Sequence, residues 1–234
     1  VYSFHTVMDN IKNGVNDHIA KSFSYSTIEP IVSRAFEGYP YQMRLETKKL
    51  STNILNLIEN NDVFLDFDDF DCLKNIWFSK IPSPDSLDPN ESIIEDISSS
   101  SYQFGSGRLV KFKNSLTISE VISKVKEICS LPHVSVATLS QLDMPVFSIG
   151  ICAGAGGSLL RDVECDVCIT GEMSHHDILR IIQNGKHVII TDHTNSENPF
   201  LLSFPRQLKK RLIGLGITNI PVECITLSDP LFKI

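Results

Sequence analysis

Along residues 105–234, short apolar runs alternate with segments whose apolar residues recur every three or four positions. The runs predict strands and the recurring segments predict helices, because a buried strand is continuously apolar whereas a surface helix repeats every 3.6 residues. The predicted strands are GRLVKF, HVSVAT, PVFSIGI, CDVCIT, KHVIIT and VECITL, and the predicted helices are TISEVISKVKEICS, HHDILRIIQNG and a long segment ending near Gly214. This alternation indicates a layered α/β/α fold with a mixed, mostly parallel sheet.

Local signals fix two of the helix ends. Thr117 and Glu120 have the spacing of a capping box, in which each side chain bonds the backbone N–H of the other residue. Gly185 follows HHDILRIIQN and supplies the residue that commonly ends a helix. We therefore expect helices to begin after Thr117 and to end at Gly185.

The first 104 residues show a weaker pattern. Residues 1–29 are interpreted as strand, loop and helix, with the helix in GVNDHIAKSF. Residues 30–104 form a variable middle region, in which YQMRLET and DVFLDF predict strands and STNILNLIEN predicts a helix. Its last part, 81–104, is rich in proline, serine and acidic residues and is interpreted as a linker. The remaining part, 105–234, is expected to be a C-terminal α/β lobe.

Composition and charge narrow the class of protein. With 42% hydrophobic and 21% charged residues among 234, the chain has an ordinary soluble composition. A net charge of −7 without a basic stripe excludes nucleic acid as the expected partner. The sequence has no run of about 18 apolar residues for a membrane span and no secretory signal, so we expect a cytoplasmic protein, with mitochondria as the alternative. Because Val1 begins a strand-like run, we also expect a longer natural polypeptide.

The one CxxC motif, Cys165 to Cys168, has two interpretations. It has no second pair at zinc-ribbon spacing, and it lies in a strand-like run rather than at a helix start, where a thiol is activated. Packing of two reduced thiols inside the fold is therefore favoured over a metal or redox role.

Polar residues that can carry chemistry follow four of the predicted strands. In open α/β sheets, ligands bind at the carboxyl ends of strands, in the turns that lead into helices. The four turns are HTVMD, CAGAGGS, TGEMSHH and DHTNSE, and their candidate residues are His5 and Asp9, then Gly154, Gly156 and Gly157, then Glu172, His175 and His176, and finally His193 and Glu197. Together they predict a cleft lined by imidazoles, carboxylates and glycines.

Each turn also has a purely structural interpretation. The glycine cluster could bind phosphate, but it lacks the Lys-Ser/Thr pair of a Walker loop, and Leu159 stands where a dinucleotide fingerprint needs glycine. A tight turn is therefore favoured there. Glu172 could serve only to begin a helix, and Ser196 or Asn195 could be only a helix cap.

His193 and Glu197 are the sharpest pair. Residues four apart on a helix project to one side, and imidazole and carboxylate ligands suit zinc, iron or manganese. The same spacing also arises by chance where a strand ends and a helix starts, so the residues alone leave both interpretations open.

Five segments in order resemble the Nif-three-like family, whose members are also described as type 2 homologues of GTP cyclohydrolase I. They are HTVMDNIKNGVNDHIA, GRLVKFKNSLTISEVISKVKE, CAGAGGS, ITGEMSHHDIL and DHTNSE. The resemblance covers residues 1–23 and 105–234. It implies two α/β lobes around a cleft that holds two divalent metal ions, and self-association into a ring of dimers, expected to be a hexamer. Residues 1–29 would then be the remainder of an N-terminal metal-site lobe.

The resemblance also assigns residues. Asp9 corresponds to a carboxylate that bridges the metals, and His193 and Glu197 correspond to ligands of the last motif. His5, Glu172 and His176 correspond to residues that line the cleft. The family's paired histidines lie upstream of the HTxxD segment, and this sequence lacks them.

A two-metal site implies hydrolysis of a nucleotide or other phosphate ester. In that scheme Glu172 or His176 moves a proton and His5 orients Asp9. The alternative is a non-catalytic metal-binding regulatory or scaffold protein that acts through a protein partner. Guanine recognition is not encoded by any motif that we identify.

Overall fold

The computed structural model describes residues 7–33, 41–44, 52–61, 63–67, 73–78, 80–82, 94–96 and 105–225. His5 and the predicted strand VYSF lie outside the described residues. The chain divides into two compact units, one comprising 1–33, 103–202 and 225–234 and the other comprising 34–102 and 203–224.

Strands and helices alternate along the described chain. The strands are β1 (Tyr25–Glu29), β2 (Val32–Ser33), β3 (Tyr41–Arg44), β4 (Val63–Phe67), β5 (Leu73–Phe78), β6 (Ile94–Asp96), β7 (Gly105–Ser106), β8 (Arg108–Thr117), β9 (Ser135–Ala137), β10 (Pro145–Ala155), β11 (Val167–Glu172) and β12 (His187–Ile190). The helices are α1 (Val7–Asn10), α2 (Val15–Ala20), α3 (Thr52–Asn60), α4 (Ile118–Cys129), α5 (Gly157–Leu160), α6 (His175–Gln183) and α7 (His193–Gly214). None of these helices is both long and apolar enough to cross a membrane.

The first unit contains a six-stranded mixed sheet in the order β1-β8-β10-β11-β12-β9. Strand β11 pairs parallel with β10 and with β12, whereas the other three pairings are antiparallel. The mixed α/β class is therefore confirmed, but parallel pairing is confined to the three strands β10, β11 and β12. These three strands are connected through α5 and α6, which supply the crossovers that parallel neighbours need.

The centre of this sheet is buried on both faces. Consecutive residues, which point to opposite faces, are buried in both central strands: Ile149, Gly150 and Ile151 in β10, and 167–171 in β11. Strands covered on both faces have continuous apolar runs rather than alternation, and this is why PVFSIGI and CDVCIT read as strands in the sequence. The burial makes the sheet a rigid base for the turns at its edge.

The capping box predicted for α4 is present. Thr117 Oγ1 accepts a hydrogen bond from Glu120 N at 3.1 Å, and Thr117 N donates to Glu120 Oε2 at 2.7 Å. These bonds stabilise the ionised carboxylate and lower the pKa of Glu120. The predicted start of this helix is therefore confirmed.

The second unit contains a four-stranded antiparallel sheet in the order β4-β5-β3-β6. Its core consists of buried residues from two strands and α3, together with one residue beyond α7, namely Met43, Ile54, Leu57, Ile76, Phe78 and Leu215. The sequence placed 203–224 in the C-terminal lobe, but this segment groups with the middle region because Leu215 packs against that core. Within the predicted linker 81–104, strand β6 pairs with β3.

Two further expectations can be compared with the structure. The Sγ atoms of Cys165 and Cys168 lie 3.7 Å apart, and both residues are buried in an apolar cluster with Leu160, Ile181 and Val188. The hydrogen bond with the neighbouring thiol of Cys168 and then desolvation raise the pKa of Cys165, which supports the packing interpretation.

The predicted strand VECITL is wrong for its described part, because 222–225 are not in a strand.

Candidate metal centre

Parallel pairing brings two of the predicted turns together. Strand β11 ends at Glu172, and the chain that leaves β12 enters α7 at His193. Since the carboxyl ends of parallel strands lie at the same edge of a sheet, the two side chains meet, with 2.8 Å between His193 Nδ1 and Glu172 Oε1. Asp192 turns the chain into α7 with a φ of 69°, in the left-handed region.

Glu197 lies on the other side of the same imidazole ring. The i, i+4 spacing places Glu197 Oε1 at 3.4 Å from His193 Nε2. The side chains of Glu172, His193 and Glu197 are 58%, 49% and 32% exposed, so water and solutes reach them. The structure thus forms a line of carboxylate, imidazole and carboxylate that opens to solvent.

Gly154, near the end of β10, borders this line. A Cβ atom at this position would lie 3.2 Å from His193 Nε2 and 3.2 Å from Glu197 Oε1. The φ of Gly154 is +67°, a conformation that side chains disfavour, and an added Cβ would also press on these two side chains, so glycine suits this position. The sequence identified Gly154 as part of a turn, whereas its contact with the imidazole and carboxylate is a finding of the structure.

Asp9 belongs to the short helix α1 and acts on His193 through its charge. The hydrogen bond with Glu172 is the largest cause that raises the pKa of His193, and the negative charges of Glu197, Glu172 and Asp9 contribute against the opposing effect of burial. Burial raises the pKa of Cys152 to about 11, and Asp9 adds to this shift. Asp9 is therefore close enough to influence both β10 and the start of α7.

His176 is placed differently. It lies in the first turn of α6, where its exposed ring packs edge-on against His175 at 6.2 Å between ring centroids. Within the described residues, no hydrogen bond joins His176 to Glu172 or His193. The cleft role predicted for His176 therefore stays a prediction.

The glycine cluster forms a tight turn. Gly156 N donates to Thr170 Oγ1 at 3.0 Å, and a Cβ at Gly157 would lie 2.9 Å from Asp177 Oδ2. Helix α5 after the turn has only four residues, and the carboxylate of Asp177 already occupies the space beside it. These contacts support the tight-turn interpretation over phosphate binding.

Sequence reasoning missed the polar residues that hold α2 in place. Asn16 and Asp17 were passed over because the helix was recognised by its apolar positions, yet they are only 1% and 4% exposed. Asp17 pairs with Arg108, which is 2% exposed, and Asn13 N also donates to Asp17 Oδ2 at 2.6 Å. A charged residue at the start of the strand GRLVKF was the only signal for this pair.

The donor set suits a metal ion in its chemistry. Within the described ranges, no three side chains of histidine, cysteine, aspartate or glutamate lie together as a ready ligand set. However, a metal-binding histidine usually bonds a carboxylate through one ring nitrogen and the metal through the other. His193 has this arrangement, since Glu172 engages Nδ1 and Glu197 lies beside Nε2. The residues therefore fit a divalent ion on the Nε2 side of His193.

Known proteins are similar to this chain in sequence. The chain is 29% identical over 252 aligned positions to NIF3-like protein 1 of Rattus norvegicus, an alignment that covers 94% of this chain and 63% of the relative. It is 31% identical over 252 positions to NIF3-like protein 1 of Dictyostelium discoideum, with 99% and 70% covered. The chain thus spans 63% of the length of the rat protein.

A solved structure agrees in fold. The Bacillus cereus protein related to NIF3 superposes with a TM-score of 0.65 over 100% of this chain and 73% of its own, at 16% identity. The family model described as Duf34/NIF3 (NGG1p interacting factor 3) matches residues 1–229. This chain therefore belongs to the Duf34/NIF3 family.

Proposed function

We propose that the protein binds two divalent metal ions, zinc, iron or manganese, with His193, Glu197 and Asp9 among their ligands. The observation that carries the proposal is the contact of Glu172 with His193 Nδ1 at 2.8 Å, beside which Nε2 faces Glu197. The structural alternative, a strand end followed by a helix start, does not by itself require a carboxylate at both ring nitrogens. The close approach of Gly154, which leaves room for these two side chains, supports the same conclusion.

Each residue has a distinct task in this proposal. Glu172 accepts the Nδ1–H of His193 and so favours the tautomer whose Nε2 lone pair can bind a metal. Glu197 supplies a carboxylate oxygen from the next turn of the same helix. Asp9 supplies a carboxylate from α1, in the bridging role that its family resemblance implies.

We further propose that the full protein is a metal-dependent hydrolase of a nucleotide or other phosphate ester. Divalent ions supply a Lewis acid for a phosphoryl oxygen and lower the pKa of water. The line of Glu172, His193 and Glu197 is partly exposed, so a substrate can reach it. Proton movement by Glu172 or His176, and a role for His5 in orienting Asp9, remain predictions within this proposal.

Metal content tests the proposal directly. Elemental analysis of the full-length protein is expected to give close to two metals per chain, and both Asp9→Ala and His193→Ala should reduce this number. Asp143→Ala and His133→Ala are matched controls, because these residues are exposed and lie outside the site. A metal content of zero in the parent, or one that is equal in the parent and all four variants, would overturn the proposal.

Catalysis needs a separate test. With metal at saturating concentration, Glu172→Gln should bind metal but lose turnover of nucleotides or of an artificial phosphodiester. Metal binding without turnover of any phosphate ester by the parent would contradict the hydrolase part and leave the metal part intact.

A partner-binding role is the second candidate. The description of the family as an interacting factor favours it, and so do exposed apolar residues, since Leu139 is 74% and Phe147 60% exposed. Self-association into a ring of dimers belongs to the same candidate and can be measured by sedimentation. Stoichiometric capture of one protein partner, together with no turnover, would favour this role over the hydrolase.

A further inference from the structure

The end of β10 contains two consecutive amides that the sheet does not use. The register between β10 and β11 shifts between Cys152 and Ala155, so Ala153 and Gly154 form a bulge. A bulge removes amides from the strand ladder and is frequent beside functional sites. Buried amides need partners, so the side chains that accept from these two N–H groups have a defined task.

The first amide binds the segment that carries Asp9. Ala153 N donates to Asn16 Oδ1 at 2.8 Å, and Asn16 Nδ2 donates to the backbone oxygen of Asp9 at 2.9 Å. Asn16 is 1% exposed and uses both ends of its amide. It therefore connects Asp9 to Ala153, although Asn16 and Ala153 are 137 residues apart in the chain.

The second amide binds the segment that carries His193. Gly154 N donates to Ser196 Oγ at 2.7 Å, and Ser196 Oγ donates to the backbone oxygen of His193 at 2.6 Å. Ser196 is 2% exposed. A Cβ at Gly171 would lie 2.8 Å from Ser196 Oγ, so Gly171 is what permits this close approach.

We propose that Asn16 and Ser196 are positioning residues, which fix the spacing between Asp9 and His193 by binding adjacent amides of the β10 bulge. The two sides of the candidate metal centre come from distant parts of the chain, and Ala153 and Gly154 are neighbours in sequence. One peptide unit therefore determines how far apart the two sides lie. This inference rests on the proposed metal binding.

Divalent-metal affinity of the full protein tests the inference, with Zn²⁺ measured by chelator competition and Co²⁺ by its absorption spectrum. Asn16→Ala and Ser196→Ala should each weaken binding by about 10- to 100-fold, as loss of groups that orient metal ligands does. Both should also alter the Co²⁺ spectrum, because the ligands shift. In the metal-free protein, amide exchange should become faster at Ala153 in Asn16→Ala and at Gly154 in Ser196→Ala.

Ser148→Ala is the matched control. Ser148 lies on the same strand, and its Oγ makes two hydrogen bonds, to Asp166 Oδ2 at 3.0 Å and from Asp166 N at 3.1 Å. This variant should lose thermal stability in the same way as Ser196→Ala but keep the affinity and the Co²⁺ spectrum of the parent. If the alanine variants do not fold, Asn16→Ser and Ser196→Cys replace them, because neither new side chain reproduces both bonds.

The outcomes separate the two proposals. If the parent binds metal and the Asn16 and Ser196 variants behave like Ser148→Ala, the positioning inference is overturned while metal binding stands. If the parent binds none of Zn²⁺, Co²⁺, Fe²⁺ and Mn²⁺, the proposed function and this inference are both overturned. If the Asn16 and Ser196 variants lose metal affinity and Ser148→Ala does not, the result supports both the proposed metal binding and the positioning inference.

Discussion

Apart from the bonds of Asn16 and Ser196 to β10, the two sides of the candidate centre are held by different forces. The histidine side comprises Glu172, His193 and Glu197, and it follows from parallel strand pairing and from helix periodicity. The carboxylate side comprises α1 and α2 with Asp9, and it is anchored by polar side chains. Arg108 pairs with Asp17 and donates to the backbone oxygen of Ile11 at 3.0 Å.

This difference determines how sensitive each side of the centre is to substitution. Backbone ladders tolerate changes of side chain, because every rung is independent of residue type. A buried ion pair depends on both partners, since removal of one leaves an uncompensated charge. The carboxylate side should therefore be the more fragile of the two, and substitutions can separate them.

The largest expected effect comes from Arg108→Met. Loss of the guanidinium leaves Asp17 buried without its charged partner, and this should lower the free energy of unfolding by about 3–5 kcal/mol. Denaturant unfolding measures the change. The double variant Arg108→Met with Asp17→Leu should recover part of the loss, because no isolated charge remains. Arg161→Met, whose side chain is 43% exposed, is the control. Equal stability of Arg108→Met and the control would contradict the comparison.

An intermediate effect is expected from Gly154→Ala on the histidine side. A left-handed conformation costs a residue other than glycine about 1–2 kcal/mol, and the new methyl group would also press on His193 and Glu197. Gly185→Ala is the matched control, since Gly185 has a φ of +76° and open space around its Cβ position. Both variants should lose similar stability from backbone strain, but only Gly154→Ala should lose metal affinity. Unchanged metal affinity in Gly154→Ala would argue against the proposed location of the centre.

The smallest effect concerns protonation of His193 in the metal-free protein. Glu172→Gln removes the main cause of its raised pKa, so the pKa of His193 should fall towards 6.5. A raised pKa in the folded state means that protonated His193 stabilises the fold fully below pH 6.5. This contribution disappears as the pH rises through the folded-state pKa.

NMR titration of the imidazole measures this shift, and Glu164→Gln serves as the control because the Glu164 side chain is 92% exposed and pairs with Lys186. A pKa of His193 that is the same in parent and Glu172→Gln would mean that Glu172 does not orient the ring in solution.

The sequence predicted five of the six strands of the larger sheet, which coincide with apolar runs, but it did not predict β1. It missed that the outer strands pair antiparallel, since an apolar run does not encode strand direction. It also treated 81–104 as a linker, because a short strand such as β6 has too few residues to show alternation. In the candidate site, it proposed the pair of His193 and Glu197 and, separately, Glu172, but not the contact of Glu172 with His193 Nδ1.

By itself, the sequence determined what depends on near neighbours in the chain. The capping box of Thr117 and Glu120 and the pairing of His193 with Glu197 follow from helical spacing alone. Only the tertiary structure decided which distant polar groups meet, as Asn16 meets Ala153 and Asp17 meets Arg108, 91 residues away. The physical reason is that apolar burial is nonspecific and leaves a local pattern, whereas a buried hydrogen bond needs one particular partner, which the approach of distant segments supplies.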